Sequence, residues 1–496
     1  MDLNQHMTAD DTAIPDRLRS GPLLIGGDHV TNASGGTYQH VYPGTGQVNF
    51  STEIAGEQEI ELAVSIGVEA QRAWASLTVD KRRAILMDLA DAIGDHQDEL
   101  SLLNVHDYGV PRLMSANGVL TERFLRYYAG YIDKPLGTTS HVEASSALNI
   151  TEHEPFGVVG VITPWNGPLV VIGLAVAPAL AAGNAVVLKP SELAPLAPLR
   201  FGEICLEAGL PAGLVNVVTA GAAGGQALVR HPGVRKIHFT GGEKTARSVI
   251  GAASQNLTPV TAELGGNAAM VVFDDADIDS AASIAAFQGP LGQSGQSCAC
   301  ASRILIQDDV YEEFVEKFLA TISSVTIGDP LRPDVMFGPV VSQSAAERII
   351  GVIDDAVNHG WGKLLSGGHR MEGELAEGFF VAPTVFSDVD DLSPLAQQET
   401  FGPVVSLSRF THEAEAVRTA NDTVYGLNAY VFTSNLNRAH RVARQLEAGS
   451  VWVNSHSDIE PQSPYGGYKR SGFGRSGGIE GLHEFLQVKN IRIAAN

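Results

Sequence analysis

Apolar strands and helical segments alternate regularly between Gly157 and Gly265, and this alternation restricts the chain to few folds. The predicted strands are Val158 to Ile162, Ala185 to Leu188, Leu214 to Val218, Lys236 to Phe239 and Val260 to Leu264. Near-continuous apolar strands are buried on both faces, so helices must cover both sides of a parallel sheet. The sequence therefore predicts an α/β fold with a doubly wound, Rossmann-like domain, which binds ligands at the carboxyl ends of its strands.

A second alternating series follows Gly266 and predicts a second α/β domain. Its predicted strands are Ala269 to Phe273, Ile304 to Gln307, Val404 to Ser408, Tyr430 to Thr433 and Val451 to Asn454. Its predicted helices are Val310 to Ile322, Ala345 to Asn358 and Leu436 to Glu447. Ahead of both series, residue spacing predicts a hairpin within Leu23 to Tyr42 and helices over Glu57 to Ala75, Val79 to Asn104 and Gly118 to Tyr131.

Two further segments are typical of strands outside these domains. Thr138 to Glu152 is rich in β-prone, small and polar residues, and Glu484 to Ile493 alternates apolar and polar residues. We expect the second segment to complete an arm that begins with the first. The alternative is a surface hairpin that has no partner.

Composition excludes several classes of protein. The chain has 496 residues, enough for two or three domains, and its net charge of -23 argues against a nucleic-acid partner. Three cysteines give no disulfide framework, which favours a reducing compartment. Met1 to Arg19 lacks the features of a targeting signal, and the apolar run Leu169 to Ala182 is too short to span a bilayer. We expect a cytoplasmic protein without a membrane partner.

Cys298 is the candidate nucleophile. It lies in the glycine-opened stretch Gly295 to Arg303, just ahead of an apolar run, so we expect its thiol to be presented in a turn. Backbone N–H groups near such a thiol lower its pKa and produce the thiolate that attacks carbonyl carbons. The alternative is that Cys298 and Cys300 are both ordinary core residues.

Seven motifs occur in an order that resembles the NAD(P)-dependent aldehyde dehydrogenase superfamily, from about Leu24 to the C-terminus. The motifs are Thr163-Pro164-Trp165-Asn166, Gly183 to Glu192, Phe239-Thr240-Gly241, Glu263-Leu264-Gly265-Gly266, Gly295-Gln296-Ser297-Cys298, Glu399 to Pro403 and Pro464 to Gly472. The resemblance implies a cofactor domain over 20–135 and 156–264, a catalytic domain over 265–462, and a bridging β-arm over 136–155 and 478–496. In the family such an arm assembles a homodimer or homotetramer.

The resemblance also implies three catalytic roles that suit aldehyde oxidation. Cys298 would be the nucleophile, while the side-chain amide of Asn166 and the backbone N–H of Cys298 would hold the oxyanion. Glu263 would be the general base that brings water to the thioester, with its pKa tuned by burial. Alone, Asn166 would be interpreted as a turn residue and Glu263 as a solvated acid at a strand end, whereas Cys300 is expected in the core.

For the cofactor, the resemblance assigns eight residues and no metal site. They are Ile162, Trp165, Lys189, Glu192, Gly242, Leu264, Glu399 and Phe401. Lys189 and Glu192 would contact the adenosine ribose, Gly242 and Trp165 the pyrophosphate, and Glu399 and Phe401 the nicotinamide ribose and ring. A carboxylate at Glu192 would repel a 2′-phosphate, which favours NAD and leaves NADP as the alternative.

The chain departs from the family pattern at several positions. Gly242 replaces a frequent serine, so we expect looser pyrophosphate binding. Gly167 and Leu174 replace bulkier residues, which predicts a wide substrate tunnel and a bulky, aromatic or branched aldehyde. Ala175 and Ser476 replace a lysine and a glutamate that in relatives help to pass the base's proton to solvent. The loop Ser455 to Glu460 should line the tunnel mouth.

Three other functions remain open at this stage. A CoA-acylating semialdehyde dehydrogenase resolves the thioester with a thiol, and the presence of Glu263 argues against it. A non-catalytic binding or structural protein would not need Cys298, Asn166 and Glu263 together. A cysteine hydrolase would work without a nicotinamide cofactor.

Overall fold

The computed structural model describes residues 13–143 and 147–494. Its strands in chain order are β1 (Leu23–Ile25), β2 (Asp28–Val30), β3 (Thr37–Tyr42), β4 (Gln47–Glu53), β5 (Thr139–Ser140), β6 (Ala147–Pro155), β7 (Val158–Ile162), β8 (Ala185–Lys189), β9 (Val215–Val217), β10 (Val234–Thr240), β11 (Val260–Glu263), β12 (Ala269–Val272), β13 (Arg303–Gln307), β14 (Lys363–Ser366), β15 (Thr384–Ser387), β16 (Val404–Phe410), β17 (Asn428–Phe432), β18 (Ser450–Val453), β19 (Gly472–Phe473) and β20 (Leu486–Ala494).

The α-helices of the described residues pack on these strands. They are α1 (Glu57–Ala75), α2 (Val79–Asp95), α3 (Gln97–Tyr108), α4 (Gly118–Ala129), α5 (Pro168–Val171), α6 (Ala177–Ala182), α7 (Leu196–Glu207), α8 (Ala222–Arg230), α9 (Glu243–Ala253), α10 (Ile278–Ala286), α11 (Tyr311–Ser324), α12 (Gln343–His359), α13 (Pro394–Gln397), α14 (Glu413–Asn421), α15 (Leu436–Gln445) and α16 (Gly478–His483).

The larger sheet has the strand order β19-β11-β10-β7-β8-β9-β1-β2. Strands β11, β10, β7, β8 and β9 are parallel, whereas β19, β1 and β2 run antiparallel to their neighbours. The chain proceeds from β7 outward to β9 and then returns to the other side of β7 with β10. This reversal places a crevice at the carboxyl ends of β7 and β10, which is where such sheets bind ligands.

The second sheet has the order β14-β15-β16-β13-β12-β17-β18 and is parallel except for β14. Both sheets are covered by helices, and the central strands of each are buried on both faces. Residues 264–268 connect β11 of the first sheet to β12 of the second. The predicted α/β fold, with a Rossmann-like sheet and a second α/β series, is confirmed.

A three-stranded antiparallel sheet, β20-β6-β5, joins the two segments predicted to form an arm. Strand β20 pairs with β6 from Leu486 opposite Pro155 to Ala494 opposite Ala147. The expectations for Met1 to Thr12, for residues 144–146 of the arm and for residues 495–496 lie outside the described residues. The predicted domain boundaries remain a prediction.

Two details near the N-terminus differ from the prediction. The helix predicted over Val79 to Asn104 is two helices, because His96 leaves helical geometry with φ -100° and ψ 16°. The hairpin predicted within Leu23 to Tyr42 is present but is shorter than this range: it comprises β1 and β2 in the larger sheet, whereas β3 pairs with β4 in a separate sheet. Positive φ angles at Gly26 and Gly27 produce the tight turn between β1 and β2.

Candidate active site

Three of the predicted site residues, Ile162, Lys189 and Glu263, end neighbouring strands at the same edge of the larger sheet. Ile162 is paired with Lys189 of the next strand and with Phe239 on the other side, and Thr240 is paired with Glu263. The carboxyl ends of these parallel strands therefore coincide. The Trp165–Asn166 loop that follows β7 leaves from this edge.

The loop that carries Cys298 is held by tight backbone packing. Gly295 has φ +68°, and a Cβ added there would lie 2.0 Å from the carbonyl oxygen of Gly402. The side chain of Gln296 accepts a hydrogen bond of 2.8 Å from the backbone N–H of Val341. Together they fix a turn at Cys298 ahead of β13, as the sequence predicts.

The thiol of Cys298 is half-buried, and its sulfur lies 3.7 Å from the hydroxyl oxygen of Tyr465. Burial raises the thiol pKa, the Tyr465 hydroxyl lowers it, and the carboxylates of Glu399 and Glu263 raise it, which together give a pKa of about 11. The expectation that backbone N–H groups lower this pKa below its ordinary value is therefore wrong for the protein without ligands. Removal from water outweighs the nearby dipoles.

Glu263 is deeply buried at the end of β11, and burial raises its pKa well above the ordinary carboxyl value. Its Oε1 accepts a hydrogen bond of 3.2 Å from Ser476 Oγ, and Arg475 also lowers the pKa. Its Oε2 has no hydrogen-bond partner in the described part of the chain. A buried carboxylate oxygen without a partner is suited to bind a water molecule or a substrate group.

Asn166 contacts the nucleophile loop. Its Nδ2 donates a hydrogen bond of 3.0 Å to the carbonyl oxygen of Gln296, two residues before Cys298. An amide nitrogen carries two hydrogens, so a second one is available to another acceptor. Trp165, the residue before Asn166, packs edge-to-face on Phe401 with ring centroids 5.5 Å apart.

The residues assigned to the nicotinamide side lie where the chain crosses between the two sheets. Glu399 Oε1 accepts a hydrogen bond of 3.0 Å from the N–H of Gly266, and burial raises the Glu399 pKa to about 7. A Cβ at Gly265 would lie 2.1 Å from Glu399 Oε2, so a larger residue there would displace the Glu399 carboxylate. Phe401 has φ +48°, a strained conformation for this residue type.

Lys189 and Glu192, which the sequence assigns to the adenosine ribose, lie at and just after the carboxyl end of β8. Burial lowers the Lys189 pKa, and the Glu192 carboxylate opposes that shift. A Cβ added at Gly225 would meet Lys189 Cε at 3.9 Å, so the lysine reaches the first turns of α8. The Glu192 charge also raises the pKa of Tyr38 on β3, which lies close by.

Gly242 precedes the first residue of α9, and a Cβ there would meet nothing within 4 Å. The start of this helix is therefore unobstructed at Gly242, and helix N-termini are suited to bind phosphate groups. Ile162 and Leu264 are nearly fully buried beside the crevice, and the N–H of Leu264 donates to the carbonyl oxygen of Ser471. These positions fit a dinucleotide that lies across the carboxyl edge.

Cys300 lies in the core, where its buried sulfur donates to the carbonyl oxygen of Gly289 at 3.3 Å. Sequence reasoning did not assign a role to Tyr465, although the residue lies inside the quoted Pro464 to Gly472 motif. The one sequence feature that pointed to Tyr465 is its hydroxyl group within this glycine-rich segment. Its distance to the sulfur depends on contacts between residues far apart in the chain.

Comparisons with known proteins agree with this geometry. The sequence profile of the Aldehyde dehydrogenase family matches residues 29–491. The chain is 40% identical over 480 residues to aldehyde dehydrogenase family 2 member B4, mitochondrial, from Arabidopsis thaliana, covering 96% of this chain and 88% of that protein. PnpE from Pseudomonas sp. WBC-3, solved with nicotinamide adenine dinucleotide, has a TM-score of 0.93 and 37% identity, covering 96% of this chain and 98% of that chain. Indole-3-acetaldehyde dehydrogenase in complex with NAD+ has a TM-score of 0.93 and 33% identity, covering 98% of each chain.

A doubly wound sheet whose carboxyl edge adjoins a loop cysteine and a buried carboxylate defines a class of nicotinamide-dependent oxidoreductases. Within that class, the chain belongs to the aldehyde dehydrogenase family. It is therefore an oxidoreductase that acts on aldehydes, and two of the similar proteins, PnpE and indole-3-acetaldehyde dehydrogenase, were solved with NAD bound. In the described residues, no helix combines the length and apolar character that a bilayer crossing requires.

Proposed function

We propose that the chain oxidises an aldehyde to the carboxylic acid through a covalent intermediate on Cys298. The observation that carries the proposal is the convergence of three side chains from distant parts of the sequence. The Glu263 carboxylate is close enough to raise the pKa of Cys298, and Asn166 bonds to the loop that holds this cysteine.

The first step forms a bond between the Cys298 sulfur and the aldehyde carbon, which converts the carbonyl oxygen to an oxyanion. The second hydrogen of Asn166 Nδ2 and the backbone N–H of Cys298 donate to that oxygen. Bound NAD supplies the acceptor for the hydride that leaves the carbon. Cys298 is then acylated as a thioester.

The second step returns the enzyme to its starting state. Glu263 takes a proton from a water molecule, and the resulting hydroxide attacks the thioester carbon. The carbon–sulfur bond breaks, the acid leaves, and Cys298 regains its thiolate. The unpartnered Oε2 of Glu263 is the atom best suited to hold this water.

Hydrolysis of the thioester is the slow step in this proposal. Ala175 is fully buried and has no ionisable group. The Ser476 hydroxyl donates a hydrogen bond to Glu263 but is not a base that could take the proton from it. Glu263 therefore exchanges its proton through water. Rapid mixing should give a burst of NADH of about one equivalent per site, and a strictly linear trace from time zero would contradict this.

The substrate we propose is bulky, aromatic or branched. A Cβ at Gly167 would meet only Val170 at 3.7 Å and Asn117 at 3.9 Å, so the space around this position is open. Its φ of +107° is a backbone conformation that favours glycine. Leu174 likewise has a smaller side chain than the residue that the family pattern has at this position. An indole-3-acetaldehyde dehydrogenase among the similar structures gives independent support. Acetaldehyde as the best substrate by kcat/KM would contradict this.

The tunnel-mouth loop has polar contacts of its own. Ser457 donates to Gln288 Oε1 at 2.7 Å, Trp452 Nε1 donates to the carbonyl oxygen of Asp458, and Glu460 pairs with Arg123 on α4. These bonds fix the loop against two other elements. We propose that this polar rim accepts hydrogen-bonding groups of the substrate.

NADH formation across aliphatic, aromatic and terpenoid aldehydes, with NAD and NADP compared, tests this function. Cys298→Ser should abolish NADH formation and keep NAD affinity within about twofold. Addition of CoA should leave the product a free acid, whereas an acyl-CoA product would favour the acylating alternative. Absence of NADH with every aldehyde would favour a cysteine hydrolase instead.

We also propose that the arm, β5, β6 and β20, assembles the protein as a homodimer or homotetramer in the cytoplasm. Leu148, Val488 and Ile493 are exposed apolar side chains on these strands. Leu148 and Ile493 lie opposite each other on one face and Val488 lies on the other face, and exposed apolar residues on a small sheet are typical of a subunit interface. Fluorescence microscopy of the tagged full-length chain tests the location.

A further inference from the structure

The hydroxyl of Tyr465 is positioned against the sulfur of Cys298. The tyrosine is 6% exposed, and its Oη lies 3.7 Å from the sulfur, within hydrogen-bonding reach of an atom of this radius. In the described part of the chain this sulfur is the one hydrogen-bond partner of that hydroxyl. The phenol oxygen of Tyr465 is therefore available to form a hydrogen bond with the nucleophile.

The backbone holds Tyr465 in this orientation. Its N–H donates to the carbonyl oxygen of Ser476 at 2.6 Å, and its own carbonyl oxygen accepts from the Ser476 N–H at 2.8 Å. The next residue, Gly466, has φ +153°, and a Cβ there would lie 2.9 Å from Glu263 Oε1. One short segment thus contacts both the nucleophile and the general base.

The charges around the sulfur oppose its ionisation. Glu263 and Glu399 are the carboxylates that face it, and both raise the thiol pKa. Cys300 and Tyr430 are the other titratable groups close by, and burial keeps both neutral by raising their pKa values. A thiolate in this position needs a hydrogen-bond donor to offset the two carboxylates.

We propose that Tyr465 is a further catalytic residue, whose hydroxyl donates a hydrogen bond to the ionised sulfur of Cys298 and increases the thiolate population. This role rests on the proposed function of Cys298 as nucleophile. The thiol proton passes to water, and Tyr465 keeps its own proton because burial raises the pKa of its phenol well above the usual value. Formation of the carbon–sulfur bond removes the charge from sulfur and weakens this hydrogen bond.

The test is the rate of alkylation of Cys298 by iodoacetamide in Tyr465→Phe, followed between pH 7 and 9.5 without aldehyde or cofactor. Loss of the donor should raise the thiol pKa by about one pH unit, which lowers the thiolate fraction about tenfold. A more basic thiolate is a better nucleophile, so the observed rate should fall about three- to tenfold. Mass spectrometry of the Cys298 peptide assigns the site, and Cys298→Ser gives the blank.

Tyr311→Phe is the matched control, because Tyr311 is another buried tyrosine, at the start of α11, and no hydrogen bond joins its hydroxyl to Cys298 in the described residues. Its alkylation rate should equal that of the unmodified protein. If Tyr465→Phe does not fold, 3-fluorotyrosine at position 465 should instead increase the rate, since the more acidic phenol is a stronger donor. Unchanged rates in both 465 variants would overturn the proposal.

Enzyme kinetics separate this proposal from the proposed function. The acidic limb of kcat/KM for Tyr465→Phe should move upward by about one pH unit while NAD affinity stays unchanged. If the unmodified protein oxidises aldehydes but Tyr465→Phe alkylates normally, only the role of Tyr465 fails. If Tyr465→Phe slows alkylation but no aldehyde is oxidised, the hydrogen bond stands and the proposed reaction fails.

Discussion

At the residue scale, the contact between Glu263 and Ser476 affects the pH range in which the general base is ionised. The Ser476 hydroxyl donates to the carboxylate at 3.2 Å and so favours its charged form, while burial favours the neutral form. A base works only when ionised, and its folded-state pKa lies well above the ordinary carboxyl value. Hydrolysis of the thioester must therefore slow as the pH falls through that raised pKa.

Ser476→Ala should move the acidic limb of the kcat profile upward by about half to one pH unit, since one hydrogen bond to a carboxylate is lost. The limb is measured from NADH formation at saturating substrate between pH 5.5 and 9. Ser463→Ala, which changes a nearby serine without a side-chain bond to Glu263, is the control. A limb that stays in place or moves downward would contradict the pairing.

At the element scale, the turn before Cys298 depends on a glycine that packs against backbone. A Cβ at Gly295 would lie 2.0 Å from the carbonyl oxygen of Gly402, and φ is +68°. Because backbone cannot give way as a flexible side chain does, the turn tolerates no larger residue. The position of the nucleophile is thus coupled to the loop that carries Phe401.

Gly295→Ala should destabilise the protein by about 2–4 kcal/mol and displace Cys298. The measurement is the urea denaturation midpoint together with the iodoacetamide rate at Cys298. Gly351→Ala is the control: it lies inside α12, and an added Cβ meets nothing, so it should stabilise by about 0.5–1 kcal/mol. Equal midpoints for the two variants would be inconsistent with this packing.

Sequence patterns were most informative where structure is locally determined. The parallel strands of the larger sheet, and all but β15 of those in the second sheet, were predicted because buried strands are continuous apolar runs, and the residues at their ends followed from that placement. The break at His96 was not predicted, since the apolar spacing continues across it. The raised pKa of Cys298 and its contact with Tyr465 depend on burial and on residues from a distant segment, which local patterns do not contain.

At the scale of the whole molecule, the arm is the surface that we propose for assembly. Strand β20 pairs with β6 along its whole length, yet Val488 and Leu148 remain 63% and 48% exposed. Burial of such side chains between subunits removes apolar surface from water at about 25 cal/mol per Å². We therefore expect burial of these exposed apolar side chains to contribute the free energy of subunit association.

Val488→Asp should dissociate the proposed oligomer, because a charge would enter the subunit interface. Light scattering after size exclusion should give a mass near 52.4 kDa for the variant and a multiple of it for the unmodified chain. Leu257→Asp, an exposed apolar residue in the loop after α9, is the control and should keep the oligomer. A monomeric unmodified protein would refute the proposed role of the arm.

The central claim is that Cys298 carries the acyl group and that Glu263 removes it. Glu263→Gln keeps the shape of the side chain and removes the base, so hydrolysis should fall about 10²–10⁴-fold while acylation continues. Incubation of this variant with aldehyde and NAD, followed by mass spectrometry of the intact protein and its peptides, should show one acyl group on Cys298 and one NADH per site. NADH formation at an undiminished steady rate, or an acyl group on a different residue, would contradict the account.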